Sequence, residues 1–396
     1  MPSITFDLET VTPLFLSGAD QTTAELRPPA FRGALRYWFR AIAGGILPIA
    51  EVQTWEKKVF GSNDNGGAVI IRVQSKEVLS TKILKRDQET LGLSYLLFST
   101  YGGGGKSPRG CFPPESSIKL VLQSRPMAED GLVCLKIATA AMWLLIHLGG
   151  IGSRSNRGGG NLLAKNKPSM GSEINLPELK FRLVAKDINQ MSQQINSGIE
   201  AIRNLYISIM RGANQNLTSS QNFDILHKNT AHLYLWQTDN QEDNEYWDYA
   251  LDAIGSRYQQ FRSRYGMKTN EDYPQVKEWI KTRGASSVQT VKRAAFGLPI
   301  QFYFTSLQKP QNTASLEANQ GINRSSSPFH IKVLKLGEDN YCILLIYFKT
   351  KLLPAGASLV LKNRQARTQS AVPVNQSIIT EFLNTLGNNL VEVTIP

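Results

Sequence analysis

Two arginines set among glycines, in Gly149-Gly150-Ile151-Gly152-Ser153-Arg154-Ser155-Asn156-Arg157-Gly158-Gly159-Gly160, are the residues whose types and spacing point most directly to chemistry in this chain of 396 residues. Glycine lets a backbone adopt positive φ and come close to a ligand. Arginine presents a planar fork that matches phosphate. A loop of both suits an extended phosphate backbone; the other reading is a mobile surface loop with incidental charge. The order of elements argues against a mononucleotide fold. The apolar run 132–148 reads as a buried helix before the loop, and Asn161-Leu162-Leu163 as the start of a strand after it. Nucleotide-binding glycine loops run from strand to helix instead. Gly150-Ile151-Gly152 opens a dinucleotide fingerprint, but its third glycine would fall on Ser155.

A second set lies on a predicted helix, Phe31-Arg32-Gly33-Ala34-Leu35-Arg36-Tyr37-Trp38-Phe39-Arg40-Ala41-Ile42-Ala43. Arg32, Arg36 and Arg40 recur every four residues and form one stripe, while Phe31, Leu35, Trp38, Phe39 and Ile42 supply the packing face. Three like charges at this spacing repel. With no acid nearby in sequence an anion is the natural partner; the alternatives are a solvated face or acids brought in by folding. Tyr101-Gly102-Gly103-Gly104-Gly105-Lys106-Ser107 imitates a phosphate-binding loop, yet the first glycine of that pattern falls on Thr100 and no helix follows. An NTPase is excluded; Lys106 and Arg109 remain candidate contacts to RNA, beside the reading of a disordered surface loop. Asp20 and Glu25 stand in the loop after the first strand, where a lone carboxylate is usually solvated, so no catalytic residue is assigned.

Charge distribution supports an anionic partner. The formal net charge is +12, and no acid lies between Glu25 and Glu51, Asp130 and Glu173, Glu278 and Glu317, or Asp339 and Glu381. Those windows hold Arg27, Arg32, Arg36, Arg40, Arg154, Arg157, Lys165 and Arg293, while acids gather at Asp239, Glu242, Asp243, Glu245, Asp248 and Asp252. Segregation of this kind is the footprint of a nucleic-acid binder. Three scattered cysteines and four histidines make neither a disulfide framework nor a metal motif, and no metal or cofactor is expected. The 132–148 run, interrupted by Lys136, reads as a core helix rather than a membrane span. No apolar signal core opens the chain, so a cytosolic protein with no membrane contact is expected.

These residues must be positioned by a mixed fold. Strands are expected at 3–16, 68–78 and 117–122, helices at 31–44, 51–60 and from 132, and a strand after the glycine loop; 91–98 is ambiguous. Residues 1–170 thus read β-α-β-β-α-β, the split βαβ order of the ferredoxin-like and RNA-recognition folds. Residues 171–396 give strands at 179–184, 298–304, 329–336, 341–348 and 390–395, with helices at 188–211, 246–264 and 378–386. The polar stretch between the first two of these helices reads as loop. The expected class is α+β: two ferredoxin-like (RRM-like) domains with insertions, an N-terminal one over 1–170 carrying the glycine loop and a C-terminal one over 171–396 with a helical insertion.

Taken together, the blocks resemble the RAMP proteins of CRISPR systems. The resemblance is carried by Thr12-Pro13-Leu14-Phe15, by the run from Leu26 to Arg40 with Arg32-Gly33-Ala34-Leu35-Arg36-Tyr37-Trp38-Phe39-Arg40 at its end, by the glycine loop, and by Arg324-Ser325-Ser326-Ser327-Pro328-Phe329-His330. The run and the last block look like those of the first RAMP subunit of the type III-B Cmr effector complex. Gly158-Gly159-Gly160 departs from a common pattern in having no aromatic or arginine among its glycines. The resemblance implies two ferredoxin-like domains facing a basic cleft, at one end of a filament of backbone RAMP subunits near the 3′ side of the CRISPR RNA. There the subunit would help capture target RNA. The implied partners are CRISPR RNA, target RNA, and the backbone and small subunits of the complex. Sister subunits cut with an aspartate in the loop after the first strand; this subunit is expected to be non-catalytic, Asp20 being a positional analogue only. The alternative is a RAMP-type endoribonuclease that processes CRISPR RNA. Such enzymes use a histidine near the first helix or a Tyr–His pair, and no histidine precedes His147. The expected RNA contacts are Arg27, Arg32, Arg36, Arg40, Lys106, Arg109, Arg154, Arg157, Lys165, Arg293 and Arg324. With segregated charge and no base-reading motif, RNA affinity should fall steeply with salt in filter binding; a flat response would contradict the assignment.

Overall fold

The structure, a computed structural model, describes all residues except 76–81, 104, 214–222, 264–270, 320–323, 371 and 373–374. In chain order the first half holds β1 (Ser3–Thr10), α1 (Pro28–Ala43), α2 (Ile49–Phe60), β2 (Val69–Gln74), β3 (Lys82–Ile83), α3 (Leu91–Leu96), β4 (Gly110–Cys111), β5 (Ser117–Ser124), α4 (Gly131–Leu148), β6 (Leu162–Ala164) and β7 (Ser169–Met170). The second half holds α5 (Ile188–Met210), β8 (Ala231–Trp236), α6 (Trp247–Arg262), α7 (Asp272–Lys281), β9 (Ile300–Tyr303), β10 (Thr313–Ala318), β11 (Phe329–Lys335), β12 (Tyr341–Phe348), β13 (Leu359–Lys362), β14 (Gln369–Ser370), α8 (Ser377–Asn384) and β15 (Leu390–Val393).

Alternation makes the first sheet one-sided. β1 and β5 bury every second side chain, as a strand covered on one face does, and they pair antiparallel from Ser3 opposite Gln123 to Glu9 opposite Ser117. The strand order is β2-β5-β1-β6, the split βαβ arrangement with α1 and α4 as its two crossovers. α1 starts on Pro28-Pro29, whose fixed φ and missing N–H suit a first turn. α4 is apolar on all sides and buried along most of its length. It is long and apolar enough to cross a membrane by composition, but it forms the interior of this fold.

The second sheet has the order β11-β12-β8-β15, so β8-α6-β11-β12-α8-β15 repeats the split βαβ scheme. β12 is buried on both faces. Ile343, Leu345 and Tyr347 pack with α6 and α8, while Cys342, Leu344, Ile346 and Phe348 join a cluster with Phe6, Leu120, Trp143 and the buried side of α5. One core therefore runs through both sheets. A third sheet, β14-β13-β10-β9, is built from segments inserted on either side of β11-β12 and has its own core with α7, including Trp279, Phe302 and Leu361.

Two expectations are corrected, and one segment left open is resolved. Residues 179–184 form no strand; Leu179, Phe181 and Leu183 are buried by irregular backbone. β8, inside the stretch expected to be loop, is a central strand of the second sheet. The ambiguous 91–98 contains α3, which packs on α6. Of the strand expected at 68–78, residues 76–78 lie outside the described residues.

Because the first two sheets share a core, truncating Leu344 to Ala should cost about 2–5 kcal/mol and lower the melting of both together. Calorimetry showing one of the two unfolding unperturbed would contradict a common core.

Candidate nucleic-acid interface

The glycine loop closes on itself and is seated between the two halves. The Ile151 N–H donates to the Gly160 carbonyl at 3.0 Å, the Gly159 N–H to Arg154 at 3.0 Å, the Ser153 N–H to Phe15 at 2.8 Å and the Gly160 N–H to Pro13 at 2.9 Å. Gly152 has φ 85°, and a Cβ there would lie 2.4 Å from the Phe15 carbonyl oxygen. Gly158, at φ 83°, would press a Cβ to 2.5 Å from Leu251. Both positions need glycine for conformation and for space.

The loop's far side is fastened to β11. The Ile331 N–H donates to the Asn156 carbonyl at 3.2 Å, the Val333 N–H to Asn161 Oδ1 at 2.8 Å, and Lys332 Nζ to the Gly149 carbonyl at 2.6 Å. Lys332 is only 1% exposed, and burial pushes its ammonium down to about 7. Arg157 donates from one guanidinium nitrogen to the Phe329 carbonyl at 2.5 Å and from the other to the Tyr258 hydroxyl at 3.1 Å. Burial lowers its pKa. Its fork is engaged by the second half of the fold. Arg293 is engaged likewise. It pairs with fully buried Asp272 and stacks on Tyr273 and Phe302, so it holds the third core together.

The remaining arginines and lysines have freer positions. Arg154, at φ 64°, lays its guanidinium over the Phe98 ring at 4.5 Å, and burial beside Arg157 lowers it to about 10. Phe98 is 63% exposed; nothing in its sequence context singled it out. Arg109 reaches Ser153 Oγ at 3.0 Å and Gln21 Oε1 at 3.1 Å, joining the 101–110 loop to the glycine loop. Lys106 is exposed. Exposed Arg27 precedes the first turn of α1 without capping it through its side chain, and its guanidinium lies 3.5 Å from the Ser17 carbonyl. Lys165 pairs with Glu9 at 3.0 Å, and Arg324 is exposed.

The stripe on α1 is not alone. Glu56 of α2, with a side chain 7% exposed, accepts from Arg36 at 2.5 Å and from Arg40 at 2.8 Å. Folding thus supplies the acid that the flanking sequence lacked. Removing Arg36 and Arg40 would strand this carboxylate, so the stripe is structural and electrostatic at once.

α1, the glycine loop and the Arg324–His330 block converge on one cleft with two adjoining lobes. The outer lobe, about 390 Å³, is lined by Tyr37, Arg40, Asp224, Arg324, Ser325, Ser326, Thr350 and Lys351 among others. The inner lobe, about 320 Å³, is lined by Ala30, Ala34, Trp38, residues 148–152, Asn156 and His330, and Tyr37, Asp224 and Ser326 separate the two. Asp224 accepts from the Tyr37 hydroxyl and from the Thr350 hydroxyl, each at 2.7 Å. Burial and this carboxylate push the Tyr37 phenol well above its ordinary value. His330 lies beside Tyr37, ring centroids 6.2 Å apart, and burial lowers it to about 4. The absence of a histidine near the first helix in sequence therefore does not hold in space. Asp20 stays exposed, its carboxylate accepting from Thr22 and Thr23. Among the described residues no group of acids, histidines or cysteines is placed to hold a metal.

The sequence signature of the RAMP superfamily matches residues 7–162. The chain is 30% identical over 172 residues to the CRISPR system Cmr subunit Cmr1-2 of Pyrococcus furiosus, covering 40% of this chain and 92% of that one. It is 31% identical over 163 residues to Cmr1-1 of the same organism, covering 40% of this chain and 46% of that one. The apo crystal structure of Cmr1 from Pyrococcus furiosus superposes with a TM-score of 0.60 at 19% identity, over 100% of this chain and 99% of that one. A chain of the type III-B Cmr-beta complex bound to cognate target RNA gives 0.53 at 13% identity, over 97% and 98%.

Two outcomes follow from the charges. Glu56→Gln should lower stability by about 1–3 kcal/mol, since it weakens charge-assisted bonds to two arginines, without weakening RNA binding; a parallel loss of affinity would mean that Glu56 positions the stripe. Lys332 keeps its proton to about 10.5 unfolded but releases it near 7 folded. Between those values the unfolded chain binds more protons, so the stability contribution of this group rises with pH across that window. The melting temperature of the wild type relative to Lys332→Met should therefore climb from pH 7 to pH 9; a constant difference would contradict it.

Proposed function

The chain belongs to the Cmr1 family of the RAMP superfamily, and from there we propose that it is a non-catalytic RNA-binding subunit of a type III-B CRISPR effector complex. Its partners would be CRISPR RNA, target RNA and the other Cmr subunits, the backbone and small ones included. Its role would be to help capture target RNA near the 3′ side of the guide. A relative of the same fold belongs to a complex with cognate target RNA, which agrees with this reading. The observation that carries it is the convergence of α1, the glycine loop and the Arg324–His330 block, far apart in sequence, on one cleft whose outer lobe carries Arg40, Arg324 and Lys351. Arg27, Arg32, Arg36, Arg40, Lys106, Arg109, Arg154, Lys165 and Arg324 remain the proposed contacts; Arg157 and Arg293 do not.

The Tyr37–His330 pair is the one observation in favour of the endoribonuclease reading. Its chemistry opposes it. A histidine lowered to about 4 by burial is uncharged at neutral pH and so a poor general acid, and a phenol raised well above its ordinary value and already bonded to Asp224 seldom forms the phenolate a base requires. Precursor CRISPR RNA incubated with the purified chain should stay intact, and Asp20→Ala should leave target cleavage by an assembled complex unchanged. Cleavage by the chain alone, lost in His330→Ala, would establish the alternative.

Arg324→Ala and Arg154→Ala should each weaken RNA binding evenly across sequences and reduce the salt slope by about 1 if each meets a phosphate. Arg157→Ala should instead lower melting, because it leaves carbonyls inside the fold without a donor. If Arg157→Ala keeps full stability and loses affinity, the reassignment of that residue is wrong.

A further inference from the structure

We propose that residues 179–184 are one half of a β-pairing that an extended acidic segment of another protein completes. Leu179, Phe181, Leu183 and Ala185 are buried, while Lys180, Arg182 and Val184 are exposed. That is the two-residue period of a half-buried strand, yet no strand lies beside it. Among the described residues no acceptor meets the N–H groups of Lys180, Arg182 and Val184. The inner side is anchored. Trp143 Nε1 donates to the Lys180 carbonyl at 2.8 Å, the Ala185 N–H donates to the Leu336 carbonyl at 3.0 Å, and Phe181 meets Phe6 edge-on with ring centroids 5.2 Å apart. The side chains are sorted as a strand sorts them and the outward donors are open, which is the template that a second chain extends.

Two hollows run along the segment and meet at Arg182. The larger, about 460 Å³, is lined by Lys167, Met170, Ile174, Leu176, Lys180 and Arg182 among others. The smaller, about 310 Å³, includes Leu163, Arg182, Val184 and Leu336. Charge names the occupant. Among the described residues no acid lines the larger hollow, and Lys167, Lys180 and Arg182 have no carboxylate partner. The smaller holds Glu338 and Glu9, the latter paired with Lys165 at 3.0 Å, so the partner's acids belong at the larger. There they would stand opposite the three cations, and opposite charges across a strand pair attract. The partner's alternate apolar side chains would enter the hollows. RNA fits less well. The one aromatic of the larger hollow, Phe181, is 2% exposed, so no ring face is open to a base.

The test is hydrogen–deuterium exchange of the intact chain, read by mass spectrometry, with a capped peptide of alternating glutamate and valine as the probe. The peptide should slow exchange across residues 179–184, and its lysine–valine counterpart should not. Val184→Pro removes a donor that the fold leaves unused and should weaken the glutamate–valine peptide about fivefold, the loss of one hydrogen bond. Lys180→Glu should weaken it about fivefold as well and let the lysine–valine peptide protect the segment instead. The comparison of the two peptides on the wild type decides the matter even where a variant fails to fold. Exchange unchanged at the highest soluble concentration of the glutamate–valine peptide would overturn the pairing. Equal protection by both peptides would overturn the acidic partner. Protection by an oligouridylate and by neither peptide would assign the trough to RNA and overturn the proposal.

Discussion

The seam between the glycine loop and β11 is the contact on which the rest depends. Four groups of the loop region, the carbonyls of Gly149 and Asn156, the Arg157 guanidinium and the Asn161 amide oxygen, are bonded to four residues of β11: Lys332, Ile331, Phe329 and Val333. The loop carries almost no side-chain bulk of its own, so it has little apolar area with which to hold a shape. Backbone hydrogen bonds, buried Lys332 and half-buried Arg157 do that work. Because the loop leaves α4 on one side and enters β6 on the other, fixing it to β11 fixes the first sheet against the second. The cleft is the space left on one side of that seam.

Arginine serves two purposes here, and burial separates them. Arg157 and Arg293 sit where water is scarce, and each satisfies its fork with carbonyls, a hydroxyl, a carboxylate or ring faces. A cation so committed has little left to offer a ligand. Arg154 and Arg324 lie nearer the surface with no carboxylate against them among the described ion pairs. Arg36 and Arg40 fall between these extremes. Glu56 neutralises part of their repulsion and lets α1 carry a row of positive charge without an anion always present.

Much of the fold was legible in the sequence. Alternation in β1 and β5, the proline start of α1 and the long apolar run of α4 each report a local period that packing preserves. β8 was not legible, because His232 and Tyr234 interrupt a short apolar pattern flanked by polar residues, and its identity as a central strand comes from neighbours a hundred residues or more away. The failed strand at 179–184 shows the converse: its alternation is real and its buried residues are those expected, but irregular backbone places them. For the site, residue type identified the basic blocks, while the distinction between a ligand-facing and a core-facing arginine depends on Tyr258, Phe329 and Asp272, which no local spacing reveals. Glu56 and His330 were missed for the same reason.

β11 is the last strand on its side of the second sheet, and such a margin presents unpaired donors and acceptors to any passing chain. The glycine loop occupies that margin, with Arg157 bridged to Ile331 in parallel fashion and the Asn161 side chain taking the next donor. The same dozen residues that shape one wall of the cleft thus act as a guard against self-association. A chain with a damaged loop would expose a sticky strand and be prone to clump.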